Sequence, residues 1–143
     1  MSGTKGIVLD ANILLRGVFG IRVRDLLTTY IDTAIFYTPE ICVEDALKYI
    51  PPIAQRKRLD PDVSEANFRQ LMRSCLNIVD RNFYEEFEQR ARARIASRDA
   101  DDWPVVATAL LLNAPIWTED QDFFGTGIAT WTSARIELYL RDG

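Results

Sequence analysis

Asp10, Glu44, Asp102, Asp120 and Asp122 fall where an α/β chain gathers its chemistry. Asp10 closes the short apolar run Ile7-Val8-Leu9, and Asp120 and Asp122 follow the run that ends at Thr118. Asp102 opens a strongly apolar stretch, and Glu44 lies in the second turn after the run Ala34 to Tyr37. If those runs are parallel strands, ligands bind beyond their carboxyl ends, so these acids share one edge of the sheet. Carboxylates held together repel and rise in pKa unless a cation is shared. The chain has no histidine and only two cysteines, Cys42 and Cys75. That excludes Ser-His-Asp and Cys-His catalysis, histidine-ligated zinc and four-thiolate zinc. An oxygen-ligated hard cation, Mg²⁺ or Mn²⁺, suits the acids that remain. Its chemistry with such a donor set is metal-assisted phosphoester hydrolysis.

Each acid also has an ordinary structural use. Asp10 suits a helix cap, and Glu44 suits an ion pair with Lys48 four residues on. Asp99, Asp101 and Asp102 suit a solvated linker or a helix N-terminus, where negative charge meets the dipole. Asp120 and Asp122 suit a turn. Only the set, in one place, makes a site.

The elements that must position the set alternate between apolar runs and helices. Ile7 to Leu9 predicts a buried strand, and Ile13 to Tyr30 a helix broken near its start by Gly17 and Gly20. After Ala34 to Tyr37, Thr38-Pro39-Glu40 reads as a helix start with a hydroxyl cap and proline at the first position. That helix is expected to reach about Tyr49 and stop at Pro51-Pro52. Pro61 to Arg73 predicts a helix, Leu76 to Val79 a strand, and Phe83 to Ala96 a charged helix ahead of a polar linker at Ser97 to Asp101. An apolar helix to Leu112, strands at Ala114 to Thr118 and Gly127 to Thr132, and a helix from Ser133 to Arg141 complete the chain. The pattern predicts one three-layer α/β/α domain over residues 1–143, with a mostly parallel sheet of about four or five strands.

Composition narrows the class further. With 143 residues, 48% of them hydrophobic, the chain can bury one core. No apolar run approaches the ~20 residues of a membrane span, and the start lacks a signal peptide's pattern, so a cytosolic setting is expected. The balance of 17 basic to 21 acidic residues, net −4, argues against nucleic-acid binding by bulk charge alone. Fourteen of the 17 are arginine, the better bidentate phosphate ligand.

With these stretches in order, the chain resembles the PIN domain family of metal-dependent nucleases. Val8-Leu9-Asp10-Ala11-Asn12-Ile13-Leu14 resembles the family's first motif, and Tyr37-Thr38-Pro39-Glu40-Ile41-Cys42-Val43-Glu44 its second. Asp102-Trp103-Pro104-Val105-Val106-Ala107 is similar to the third, and Thr118-Glu119-Asp120-Gln121-Asp122-Phe123 to the last. The resemblance implies that Asp10, Glu44, Asp102 and Asp120 hold one or two Mg²⁺ or Mn²⁺ ions, with Asn12 and Thr118 in support. Asp99 and Asp101 are alternatives to Asp102, whose spacing to the apolar helix favours it; Asp99 and Asp122 are further supporting acids. Glu119 departs from the pattern by adding negative charge. The implied activity is a cytoplasmic endoribonuclease acting on RNA, commonly the toxin partnered by an antitoxin protein and often a homodimer.

Arg16 and Arg22 are candidates for phosphate contact. Arg90, Arg94 and Arg98 recur on one helix face, either as an RNA track or as a solvated face near Glu86. Arg56-Lys57-Arg58 reads as an exposed loop. Two rival readings remain: a non-catalytic PIN-like RNA-binding or regulatory module, and a phospho-receiver whose acceptor would be Asp80 at the end of the third strand.

Overall fold

The structure, a computed structural model, describes residues 5–95 and 99–141. Its first strand, β1 (Lys5–Leu9), ends in three fully buried residues, Ile7, Val8 and Leu9, which fixes it at the centre of the fold. Helices α1 (Ala11–Phe19) and α2 (Arg22–Thr29) lead to β2 (Ala34–Pro39), then α3 (Glu40–Arg56), α4 (Pro61–Cys75) and β3 (Leu76–Val79). A short α5 (Arg81–Tyr84), a 3₁₀ turn and α6 (Glu88–Ile95) precede α7 (Trp103–Leu112). Strands β4 (Ile116–Trp117) and β5 (Thr130–Trp131) and helix α8 (Ile136–Arg141) follow.

All five strands are parallel in the order β3-β2-β1-β4-β5, with Val8 paired to Tyr37 on one side and to Ile116 on the other. The chain winds outward from β1 to β3, then crosses back to β4. Right-handed crossovers therefore place α1 to α4 on one face of the sheet and α5 to α7 on the other. Contacts agree: α1, α3 and α4 pack together, whereas α7 packs on β1, β2 and β4 beside α5 and α6. The reversal between β1 and β4 opens a crevice at their carboxyl ends. Asp10 follows one of these strands and Thr118 the other. Among the described residues, no helix is long and apolar enough to cross a membrane.

Local chemistry explains most boundaries; β4, β5 and α8 are shorter than the expected Ala114 to Thr118, Gly127 to Thr132 and Ser133 to Arg141, and larger departures lie elsewhere. The helical segment from Ile13 to Tyr30 is broken at Gly20, as expected, but not at Gly17. Gly17 lies inside α1, where a Cβ would come within 2.7 Å of Leu71 Cδ2, so it serves close packing on α4; Gly20 is the cap that ends α1. Thr38 caps nothing: it lies in β2, and its hydroxyl donates to Leu9 O at 2.8 Å, tying β2 to β1. Helix α3 runs through Pro51 and Pro52 to Arg56. Cys42, Ala46, Ile50 and Ala54 form a buried stripe at spacing four that spans the prolines, and that burial outweighs the missing hydrogen bonds. The region from Phe83 is broken into α5, the 3₁₀ turn and α6; Ala96, Ser97 and Arg98 lie outside the described residues.

Candidate metal centre

Asp10 is where both of its possible uses meet. One carboxylate oxygen accepts from Ile13 N–H at 3.0 Å and caps α1, and the other accepts from the Thr118 hydroxyl. Thr118, fully buried after β4, in turn accepts from Asp120 N–H at 2.9 Å. Asp120 Oδ1 then accepts from Asp122 N–H at 2.9 Å, which turns the chain into its 3₁₀ segment. The loop after β4 is thus fastened to the end of β1.

A cleft of about 150 Å³ opens beside this linkage. Its acidic lining comes from Asp10, Asp45, Asp101, Asp102 and Asp120, with Asn12 at its rim. Carboxylate oxygens of Asp102, Asp120 and Asp122 lie within 4.8 Å of one another. That is near the roughly 4 Å between opposite oxygens around a Mg²⁺ ion. A larger cavity, about 560 Å³, lies by the amino ends of β4 and β5, and no acidic residue lines it. The smaller one gathers the acids.

The charge state points the same way. Burial pushes Asp10 up to about 6, opposed by its bonds from Thr118 and Ile13 and reinforced by the charges of Asp120 and Glu119. Burial also raises Asp102 to about 7, with Asp99, Asp120, Asp10 and Asp122 adding repulsion. Asp102 Oδ2 is buried without a hydrogen-bond partner among the described residues. An orphaned carboxylate oxygen facing other acids is strained without a proton or a cation. The all-oxygen donor set therefore fits a hard divalent cation.

Not every expected residue joins the cluster. Glu44 is exposed and absent from the cleft; α3 presents Asp45 there instead. Around the helix Asp45 lies about 60° from the buried Cys42 and Glu44 about 160°, a signal the apolar stripe already contained. Asp99 accepts from Asp101 N–H at 3.1 Å and shapes the turn before α7, while Asp122 enters the triad of close carboxylates. Glu119 has a framework role, accepting from Ser133 N–H at 2.6 Å.

The arginines scatter. Arg16 is exposed on α1, whereas Arg22 is held by Glu137 at 3.2 Å and by Ser133 O. Arg90 stacks over the Phe87 ring at 4.7 Å, and Arg94 donates to Thr126 O at 2.7 Å. Arg98 lies outside the described residues. Asp80 follows the edge strand β3, two strands from β1, so the sheet does not set it beside Asp10 as a receiver would require.

A parallel sheet with an acid cluster at its switch point and no histidine defines a class of α/β proteins whose acids are all-oxygen donors at one sheet edge. Within that class the assignment is direct: the PIN domain family model matches residues 8–141, and the chain belongs to the PIN domain family. No curated protein matches the chain in sequence at a significant level. Among solved structures, PAE2754 from Pyrobaculum aerophilum is similar over 98% of this chain and 92% of its own, at 13% identity and TM-score 0.73. VapBC2 from Rickettsia felis, bound to a DNA fragment from its promoter, is similar over 89% of this chain and 98% of that chain, at 12% identity and TM-score 0.70. A toxin–antitoxin complex from Klebsiella pneumoniae covers 89% of this chain and 97% of its own, at 18% identity and TM-score 0.65. At these identities the likeness is one of fold.

Proposed function

We propose that the chain is a metal-dependent endoribonuclease, the toxin of a cytoplasmic toxin–antitoxin pair, acting as a homodimer. The close carboxylates of Asp102, Asp120 and Asp122, with Asp102 Oδ2 buried and unpartnered among the described residues, carry this reading. Membership of the PIN domain family supports hydrolysis of phosphodiesters, and the two similar toxin–antitoxin structures support an antitoxin protein as partner.

Asp102, Asp120 and Asp122 would hold one or two Mg²⁺ or Mn²⁺ ions, with Asp10 and Asp45 completing the acidic wall. Such an ion, when bound, activates water and neutralises charge on the phosphodiester oxygens. The chain's own residues prepare that step. Thr118 fixes the Asp10 carboxylate and holds the Asp120 backbone, so two acids distant in sequence, after neighbouring strands, keep one geometry. Asn12, exposed at the rim, offers an amide to a phosphate oxygen. With no histidine in the chain, proton transfer falls to carboxylates and water.

The test incubates purified chain with single-stranded and structured RNA and matching DNA, in Mg²⁺, Mn²⁺ or EDTA, beside Asp10→Asn. The expected result is RNA cleavage that EDTA and the substitution both abolish. Equal inertness of both proteins on every substrate, with divalent metal still bound, would replace this reading by a binding module.

A further inference from the structure

We infer that the groove between α1 and α3 is a subsite for single-stranded nucleic acid, leading the strand away from the acidic cleft; its occupant rests on the phosphodiester reading above. The groove, about 290 Å³, is lined by Asn12, Leu15, Arg16, Phe19, Ile53 and Lys57. Asn12 belongs to both spaces, so the groove begins where the acidic cleft ends. Asn12 to Phe19 spans about 10 Å of helix, so a strand leaving the cleft stays against α1.

Its chemistry matches a nucleotide rather than a protein segment of ordinary composition. Arg16 and Lys57 stand exposed on opposite walls, and neither makes an ion pair among the described residues. Four other arginines are already bound to acids: Arg22, Arg69, Arg81 and Arg92. Two free cations flanking an apolar floor suit phosphates at the walls and a base against Phe19, Leu15 and Ile53. A duplex keeps its bases stacked and cannot offer one to that floor, so the occupant is single-stranded. In a chain of net charge −4 with an acidic centre, such a local cationic pair is also what would hold a polyanion in place. Lys57 closes α3 in the basic run Arg56-Lys57-Arg58, so its charge also meets the helix's negative end; that use leaves the ammonium at the groove.

The test measures fluorescence anisotropy of a labelled mixed-sequence 12-nucleotide strand, as RNA and as DNA, in EDTA so that no metal-dependent cleavage intervenes. Wild type, the double variant Arg16→Ala/Lys57→Ala and the remote control Arg69→Ala are titrated over a range of salt. The double variant is expected to lose about tenfold in affinity, with the slope of log K against log salt falling by roughly 1.4 for two phosphate contacts. Arg69→Ala should match wild type. Unchanged affinity and slope in the double variant, or wild type that binds no single strand or prefers a duplex, overturns the subsite. Cleavage in Mg²⁺ and Mn²⁺ is read on the same proteins. Binding lost with the two cations while wild type never cleaves would sink the nuclease reading and leave the subsite standing. Metal-dependent cleavage that the double variant retains in full, with unchanged binding, would do the reverse.

Discussion

The Thr118 hydroxyl donates to the Asp10 carboxylate, joining two residues 108 positions apart at the switch point of the sheet. The same oxygen accepts from Asp120 N–H, so one buried hydroxyl sets the relative position of two acids of the cleft. Thr118→Val removes both bonds while keeping the shape, at a cost of about 1–3 kcal/mol. Because the hydroxyl bond lowers the Asp10 pKa, its loss should also move the pH midpoint of metal binding upward. Thr118→Ser should restore both. Chemical denaturation and Mn²⁺ titration at several pH values check this, and a valine variant with the wild-type midpoint would be inconsistent with it.

Asp45, and not Glu44, faces the cleft. Asp45→Asn is expected to reduce cleavage at least tenfold with little change in stability, whereas Glu44→Gln should leave it within about twofold. Parallel rate measurements decide between them, and the opposite ranking would return the role to Glu44.

Without metal, the site should make stability fall as pH rises. Asp10 titrates near 6 and Asp102 near 7 in the folded chain, against about 3.9 when unfolded. Between those values the folded state binds more protons, so ∂ΔG/∂pH is negative. The stabilisation from protonated acids is fully present below about pH 4 and is lost as pH rises through 6 and 7. Melting in EDTA should show Tm dropping by several degrees between pH 5 and pH 8, and excess Mn²⁺ should restore it at pH 8. A Tm that climbs over that window in EDTA would show that the two acids are not raised.

The prolines inside α3 test the packing explanation for that helix. Pro51 is exposed, and Pro51→Ala should stabilise the chain by about 1–3 kcal/mol, because proline is the poorest residue in a helix interior. Ile50→Ala, in the buried stripe, should cost about 2–5 kcal/mol. Urea melts measure both, and a proline variant less stable than wild type would mean that the helix needs its prolines.

Much of this was legible in the residues. Ile7-Val8-Leu9 followed by Asp10 could only be a buried strand ending in an acid, and the parallel order followed from strands alternating with helices. Asp102 and Asp120 each abut an apolar element, which places them at the sheet edge from the sequence alone. For Glu44, spacing from Tyr37 identifies a helical turn but not its face; the stripe of Cys42, Ala46, Ile50 and Ala54 carries that. The α3 boundary was misread for a related reason: local proline propensity was set against burial on α1 and α4, which only the folded chain displays. Arg22 and Arg94 looked available for phosphate because their partners, Glu137 and Thr126, are distant in sequence.

Cleavage assays depend on finding the right RNA, whereas metal binding does not. The central measurement is therefore calorimetric titration of Mn²⁺ into the metal-free chain at pH 8, with Asp102→Asn titrated in parallel. The acidic cleft predicts that wild type binds one or two ions and that the variant, lacking the anionic Asp102 carboxylate, binds at least about tenfold more weakly. Equal affinity in the two proteins, or no heat of binding in either, would contradict a metal centre built on Asp102, Asp120 and Asp122.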